Sequence, residues 1–118
     1  MSKEGERIRR IIYRAYATGA AAIALVVNPG YRFKLLRIDL HLSAAPTTSQ
    51  SLTATVDSGL GAAYDTVIYS RDLTVGSLTD LVVEFDGSFV YEADDHIDIA
   101  WTNTDTKTYG IVVTCERV

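Results

Sequence analysis

Apolar and polar residues alternate along much of the chain, and the clearest alternation lies between residues 33 and 43. In this segment, single polar residues separate Leu36, Ile38, Leu40 and Leu42. A period of two places successive side chains on opposite faces of a strand, so that one face is buried and the other is solvated. The pattern therefore predicts a half-buried β-strand over this segment.

Further short apolar or alternating runs are separated by turn residues, and they predict the remaining strands. These runs cover residues 20–27, 52–56, 65–71, 78–85, 89–91, 96–102 and 109–116. Asn28-Pro29-Gly30 is typical of a type II turn, and Asp86-Gly87 is typical of a β-hairpin turn. Seven or eight short strands without a long helical pattern predict an all-β fold, an antiparallel β-sandwich. The even strand count and the long loops favour a jelly roll, preceded by an N-terminal arm.

The alternation also predicts which residues form the core, because inward-facing positions of a sandwich are apolar. We expect the following positions to be buried: Leu36, Ile38, Leu40, Val83, Ile97, Ile99, Trp101, Ile111 and Val113.

The N-terminal segment differs in charge from the rest of the chain. Residues 1–14 hold five basic and two acidic side chains, a net charge of +3, whereas the other 104 residues hold six basic and thirteen acidic side chains, a net charge of −7. We therefore divide the chain into a basic arm, residues 1–19, and a β-sandwich domain, residues 20–118. Ile8, Ile11, Ile12 and Tyr16 have helical spacing, while residues 8–14 fit a β-rich arm equally well.

A basic arm on an acidic body suggests that the arm contacts a surface that the body does not touch. Arginine makes bidentate contacts to carboxylates, and isoleucine and tyrosine supply apolar anchors. We expect the arm to pack between chains rather than wholly onto its own domain. The partner-binding residues of this hypothesis are Arg7, Arg9, Arg10, Ile11, Ile12, Arg14 and Tyr16. A nucleic-acid partner is less favoured because the body offers no basic stripe, and a solvated tail is the remaining alternative.

No recognisable catalytic motif is present in the sequence. No serine stands in a G-x-S-x-G elbow, and the glycines form neither a P-loop nor a dinucleotide fingerprint. Cys115 is the single cysteine, and alternation places it on a buried face, where a thiol is usually inert. We therefore expect no enzyme, no catalytic residue and no cofactor.

One group of polar residues raises the question of a cation site. His96 stands close to Asp94, Asp95 and Asp98, and hard cations take carboxylate oxygens. Alternation sends Asp94 and Asp98 to one side and Asp95 to the other, and no D-x-D-x-D-G loop is present. We interpret the region as a polar turn whose aspartates bond the local backbone, and we expect no metal site. His41, on the polar face of the clearest strand, is expected to be a solvated side chain.

A membrane partner is not expected either, because a membrane helix needs about 20 apolar residues. The longest candidate, residues 20–27, is much shorter and is interpreted as a buried strand with its approach. A single cysteine is typical of a protein made in a reducing cytoplasm.

Two parts of the chain resemble small virion proteins of tailed bacteriophages. The first comprises residues 33–49, FKLLRIDLHLSAAPTTS, and 52–58, LTATVDS; the second comprises residues 98–104, DIAWTNT, and 108–111, TYGI. The resemblance implies a small β-sandwich, often a jelly roll, that decorates or cements a capsid or sits in the tail. It also implies trimers at capsid three-fold positions and no catalytic residues. The N-terminal arm matches no motif of these proteins.

The leading hypothesis is a non-enzymatic structural virion protein, a capsid decoration or cement protein that stabilises the phage head by bridging capsid subunits. Its expected partners are itself, as a homotrimer, and the major capsid protein or another virion protein. Its expected location is the virion, after synthesis in the host cytoplasm. The alternatives are a tail or baseplate protein, and a carbohydrate- or receptor-binding jelly roll that uses Tyr64, Tyr69 or Tyr91 for stacking. An enzyme is the third hypothesis, which a deep pocket lined by two carboxylates would favour.

Overall fold

A computed structural model describes residues 10–118 of the chain. These residues form eight strands, and a 3-10 turn at residues 62–64 precedes the fifth strand. The strands are β1 Ile12–Gly19, β2 Ile23–Val27, β3 Phe33–Leu42, β4 Ser51–Asp57, β5 Thr66–Asp72, β6 Asp80–Glu84, β7 His96–Trp101 and β8 Tyr109–Arg117.

The strands form two four-stranded sheets that pack face to face. Sheet A has the order β1-β8-β3-β6, and sheet B has the order β2-β7-β4-β5. All of these pairs are antiparallel, and the first strand pairs with the eighth, the second with the seventh, the third with the sixth and the fourth with the fifth. The predicted all-β class and the predicted antiparallel β-sandwich are therefore confirmed.

The core lies between the two sheets and consists of their inward-facing apolar side chains. Seven of the nine predicted core residues are buried: Ile38, Leu40, Ile97, Ile99, Trp101, Ile111 and Val113. Val83 is half-buried because its strand, β6, forms an edge of sheet A. The cluster of large side chains also contains Phe33 and Leu73, which are fully buried.

A β-bulge in β3 explains the remaining error in the predicted core. The register between β3 and β8 shifts between Leu35 and Arg37, so Leu36 is the extra residue. Leu35 and Ile38 are both buried, while Leu36 between them is half-buried. Strict alternation along the whole strand assigns Leu36 to the inward face together with Ile38. The extra residue at the bulge changes which positions face inward, so Leu35 rather than Leu36 is buried.

Most of the predicted arm that the structure describes belongs to the sandwich. Strand β1 pairs with β8 along its whole length, from Ile12 with Glu116 to Gly19 with Tyr109. Ala15 is buried, because it faces the core from this strand. The predicted boundary at residue 19 is therefore wrong for residues 12–19: they fold onto their own domain. Residues 1–9 lie outside the described residues, and so do the predictions made for Arg7 and Arg9.

The predicted hairpin at Asp86-Gly87 is also wrong. Asp86 accepts hydrogen bonds from the amide and the hydroxyl of Ser88, and Gly87 has a φ of 72°, so a local turn does form. The chain beyond it does not return along β6. Tyr91 instead forms an isolated bridge with Phe33, at the beginning of β3. The segment therefore continues the edge of sheet A beyond the end of β6.

Polar side chains connect the loops at the opposite end of the sandwich. The buried Asn103 donates from Nδ2 to the carbonyl oxygens of Ala21 and Lys107 and accepts from the amide of Lys107, each over 2.9 Å. Asp105 accepts bonds from the backbone amides of Thr47 and Thr48 over 2.7 and 2.8 Å. The loop after β7 is thereby tied to the loops after β1 and β3.

Candidate functional site

The predicted partner-binding residues that the structure describes lie on or beside β1, an edge strand. Among residues 10–118, β1 pairs with β8 alone, so within this part of the chain no strand uses the backbone groups on its other side. Arg14 and Tyr16 point outward from this strand, and the Tyr16 side chain is 77% exposed. This open edge, with Arg14 and Tyr16 beside it, is named the β1 edge below.

Arg10 is engaged within its own chain. Its guanidinium donates to both carboxylate oxygens of Glu116, with Nε–Oε2 at 2.8 Å and the second nitrogen at 3.1 Å from Oε1. This bidentate pair lowers the pKa of the Glu116 carboxyl and raises the pKa of Arg10. The neighbouring Ile11 accepts a backbone bond from Arg117 and is 44% exposed. Arg10 therefore fixes the beginning of β1 to the outer face of sheet A.

Strand register brings Tyr16 beside residues of the other strands on the outer face of sheet A. Tyr16 lies opposite Val112, which lies opposite Asp39, which lies opposite Val82 on the far edge. Asp39 accepts a bond from Arg37 over 2.8 Å. The face mixes apolar and charged side chains, which is the ordinary composition of an exposed protein surface.

A second candidate site is a cavity at the end of the sandwich where β1 begins. It has a volume of about 530 Å³, within the range of small-ligand and side-chain pockets. One wall is the end of sheet B, and another is the segment that continues sheet A; a loop between β4 and β5 covers part of the opening. The lining residues are Val56, Ser58, Leu60, Tyr64, Thr66, Ile68, Phe89, Tyr91, Glu92, Asp94 and Asp95.

Tyr91 and Phe89 form an aromatic wall of the cavity, and the buried Phe33 packs behind Tyr91. The Tyr91 ring stacks on the buried Phe33 with centroids 5.3 Å apart, and Phe89 meets Tyr91 edge-on at 4.6 Å. Tyr91 is only 8% exposed, and burial raises the pKa of its hydroxyl. Phe89, in contrast, is 64% exposed at the mouth of the cavity. The buried ring of Tyr91 thus contacts the accessible ring of Phe89.

Aspartates hold the covering loop in place. Asp95 accepts bonds from the amides of Gly59 and Glu92, each over 2.9 Å, and Asp65 accepts one from Ser58 over 2.9 Å. Gly59 lies so close to Asp94 that a Cβ atom at this position would stand 2.4 Å from the Asp94 carboxylate. A larger residue at position 59 would force the Asp94 side chain to move, so the glycine allows the loop to lie close to the turn after the aromatic wall.

The carboxylates beside the cavity are therefore largely committed to structure. Both oxygens of Asp95 accept backbone amides, and Glu92 pairs with Arg32 over 3.4 Å at the surface. This agrees with the interpretation of the region as a polar turn whose aspartates bond the backbone. Within residues 10–118 no group of three or more His, Cys, Asp and Glu side chains is placed to hold a metal ion.

The other residues considered for chemistry lie on three different strands: His41 on β3, Asp98 on β7 and Cys115 on β8. His41 is exposed, and its Nδ1 lies 2.6 Å from Asp80 Oδ1, which lowers the pKa of Asp80. Cys115 is fully buried, and burial raises its pKa to about 12, which makes the thiolate inaccessible at neutral pH. Asp98 lies on the outer face of sheet B, where burial and the nearby charge of Asp57 raise its pKa. The structure therefore does not bring these groups together.

Sequence reasoning missed the cavity. Leu60 lines this cavity, and its side chain is 78% exposed. An isolated leucine between two glycines was the available signal, because a large apolar residue in a surface loop needs an explanation when others gather beside it. The neighbours of Leu60 come from three separate segments, and their meeting depends on the fold.

The sequence matches no protein-family model, and it matches no curated protein. In the part of the chain that the structure describes, no helix is long and apolar enough to cross a membrane.

Proposed function

We propose that this chain is a non-enzymatic structural virion protein of a tailed bacteriophage, a capsid decoration or cement protein that bridges capsid subunits. The observation that carries the proposal is the β1 edge, where a strand with one partner among the described residues carries the exposed Arg14 and Tyr16. The resemblance of residues 33–58 and 98–111 to small virion proteins supports the same role. We also infer that the expected location is the virion.

The pairing of the strands supports a jelly roll as the finer description of the fold. A long hairpin that is rolled up pairs its first strand with its last and its two central strands with each other. The pairs β1–β8, β2–β7, β3–β6 and β4–β5 follow that rule. We infer a jelly roll on this ground.

Two kinds of contact to a capsid are available at the β1 edge. The free backbone groups can accept an additional strand from a capsid subunit, and Tyr16 can enter a pocket while Arg14 pairs with a carboxylate. A protein that binds the assembled lattice but not free subunits stabilises the lattice by mass action, by about 2.7 kcal/mol at a hundredfold excess over Kd. No catalytic step is needed for this role.

Co-sedimentation tests the proposal. The protein is mixed with assembled shells and, separately, with unassembled subunits of a major capsid protein from the same source, and the bound fraction is measured. We expect the wild-type protein to sediment with shells and to ignore free subunits. Tyr16→Ala with Arg14→Glu should weaken binding at least about tenfold, because an aromatic anchor and a charge pair are lost together.

Lys107→Glu is the matched control, a charge reversal in the loop between β7 and β8, at the opposite end of the sandwich from the arm. Its binding should remain close to that of the wild type. Sedimentation with tails but not with heads would contradict the capsid role and would support a tail or baseplate protein instead. Absence of binding to any virion component would contradict the proposal.

The carbohydrate-binding alternative has one observation in its favour: Tyr64 and Tyr91 line the same cavity. Tyr91 is buried and Tyr69 is half-buried, so only Tyr64 of the three offers an exposed ring. A platform for sugar stacking needs exposed faces, and this distribution favours the structural role. Three carboxylates also line the cavity, as the enzyme hypothesis requires, but Asp95 and Glu92 have the structural partners described above. Retention on a glycan array that is lost in Tyr64→Ala would support the alternative.

A further inference from the structure

The cavity is lined mainly by apolar and aromatic residues, and three acidic residues lie beside them. Six of its lining residues are apolar or aromatic, and three of them, Leu60, Tyr64 and Phe89, are more than 60% exposed at the mouth. Exposed apolar groups that gather around a concave site mark a place where another molecule binds.

The charges beside the cavity indicate the chemistry of that molecule. Glu92, Asp94 and Asp95 line it, and none of its lining residues within the described part of the chain is basic. An occupant should therefore present an apolar side chain between positive charges. Arg7-Ile8-Arg9 has this composition, and it belongs to the segment outside the described residues.

Distances decide which copy of the chain can supply this segment. In sheet A, Ile11 lies beside Arg117, Arg117 lies opposite Phe33, and Phe33 lies opposite Tyr91. Three strand spacings separate Ile11 from Tyr91, about 14 Å, and the cavity opens beyond Tyr91. Ile8 precedes Ile11 by three residues, which extend at most about 11 Å. The Ile8 of the same chain therefore falls short of the cavity.

The positions of the arm and the cavity agree with a contact between copies. The arm leaves the sandwich at β1, one edge of sheet A, where Arg10 is held by Glu116. The cavity lies at the other side of the sandwich, between β5 and the segment that continues the edge of sheet A. An arm at one edge and a receptor at the other produce a head-to-tail contact, which generates closed rings when the rotation between copies allows it.

We propose that the segment Arg7-Ile8-Arg9 of one copy binds in the cavity of a neighbouring copy. Ile8 packs between Leu60 and Phe89, one arginine pairs with the carboxylate of Asp94, and the other pairs with Glu92, whose exposed 3.4 Å contact with Arg32 is exchanged for it. This contact joins copies of the chain to one another, and it does not depend on the role in a virion. Its failure and the failure of the capsid proposal are therefore distinguishable.

Disulfide trapping between two full-length variants tests the contact. Protein carrying Ile8→Cys is mixed with protein carrying Leu60→Cys under mild oxidation, and linked pairs are measured by non-reducing electrophoresis and peptide mass spectrometry. Cys115 contributes no background because it is fully buried. We expect a linked dimer of the two variants, and we expect Phe89→Glu in the Leu60→Cys chain to reduce its yield at least about tenfold, since the aromatic wall is lost.

Val75→Cys replaces Leu60→Cys in the matched control. Val75 is 60% exposed but lies in the loop between β5 and β6, at the end of the sandwich away from the cavity. Its yield with Ile8→Cys should stay at the level of random collision. Equal yields for the two positions would overturn the proposal. A single chain with both Ile8→Cys and Leu60→Cys that links mainly within itself would also overturn it, because the arm would then occupy its own cavity.

Discussion

Single residues in β3 show how finely the core depends on strand register. Ile38 is fully buried between the sheets, whereas Leu36 is half-buried at the bulge. Ile38→Ala should therefore lower the free energy of unfolding by about 2–5 kcal/mol, because it leaves a cavity in close-packed surroundings. Leu36→Ala should cost clearly less, and urea denaturation of the two variants measures the difference. Equal losses would mean that the bulge does not withdraw Leu36 from the core.

Asp105 is one of the carboxylates that make the stability depend on pH. Bonds from the hydroxyl and amide of Thr48 and from the amide of Thr47 hold the pKa of Asp105 at about 2, below its usual 3.8. A depressed pKa contributes stability above the unfolded value, and that contribution disappears as the pH falls toward 2. Asp105→Asn should therefore lower the unfolding temperature at pH 7 and lose its effect near pH 2.

Thermal unfolding at several pH values measures this difference between wild type and Asp105→Asn. Asp72, whose pKa is also about 2, remains in both proteins, so both should still lose stability in acid. A difference that stays constant from pH 7 to pH 2 would show that the Asp105 charge does not contribute.

Residues of this kind could be predicted from the sequence only in part. Asn103 and Asp105 lie in a segment with an obvious polar turn composition, so their place in a loop was predictable. Their hydrogen-bond partners, however, stand between 55 and 85 positions earlier in the chain, apart from Lys107. Those partners become neighbours only when the loops of one end of the sandwich meet, and no local pattern encodes that meeting.

Among the elements, β1 departs most from its sequence interpretation. The net positive charge of residues 1–14, opposite in sign to that of the rest of the chain, suggested a separate arm. Ala15 is nevertheless buried against the core, and β1 pairs with β8 along its whole length. Arg14 and Tyr16 carry the composition of a binding surface, but they occupy only the outward positions. Apolar and polar residues do alternate within β1, but the charge pattern was given more weight than this alternation. The strands from β3 onward were predictable because apolar residues dominate their inward faces.

Truncation distinguishes the two descriptions of the arm. A chain that begins at residue 10 should unfold cooperatively with wild-type stability, because every strand is intact. A chain that begins at residue 20 should lose most of its stability, since β8 then becomes an edge and the core loses the cover of β1. Circular dichroism during urea denaturation measures both. A stable, cooperatively folding chain beginning at residue 20 would contradict the place of β1 in the sandwich.

At the scale of the whole molecule, edge strands are the feature with the largest consequences. As far as the structure describes the chain, each sheet ends in two strands with a free side, and such edges need protection or a partner. We expect a homotrimer, which light scattering should detect as three times the 12.9 kDa of one chain. Ile8→Asp should shift the mass toward that of a monomer, because a charge would replace the apolar anchor of the proposed contact. If the wild-type protein were a monomer at micromolar concentration, this would count against both the homotrimer and the proposed contact between copies.

The disassembly temperature of capsid shells measures whether the proposed decoration protein stabilises the capsid lattice. Shells of a major capsid protein from the same source are heated with increasing amounts of this protein while light scattering records their disassembly. We expect a disassembly temperature that rises and then saturates at a fixed ratio of the two proteins, with a smaller rise for Tyr16→Ala with Arg14→Glu. An unchanged disassembly temperature at saturating protein would contradict lattice stabilisation.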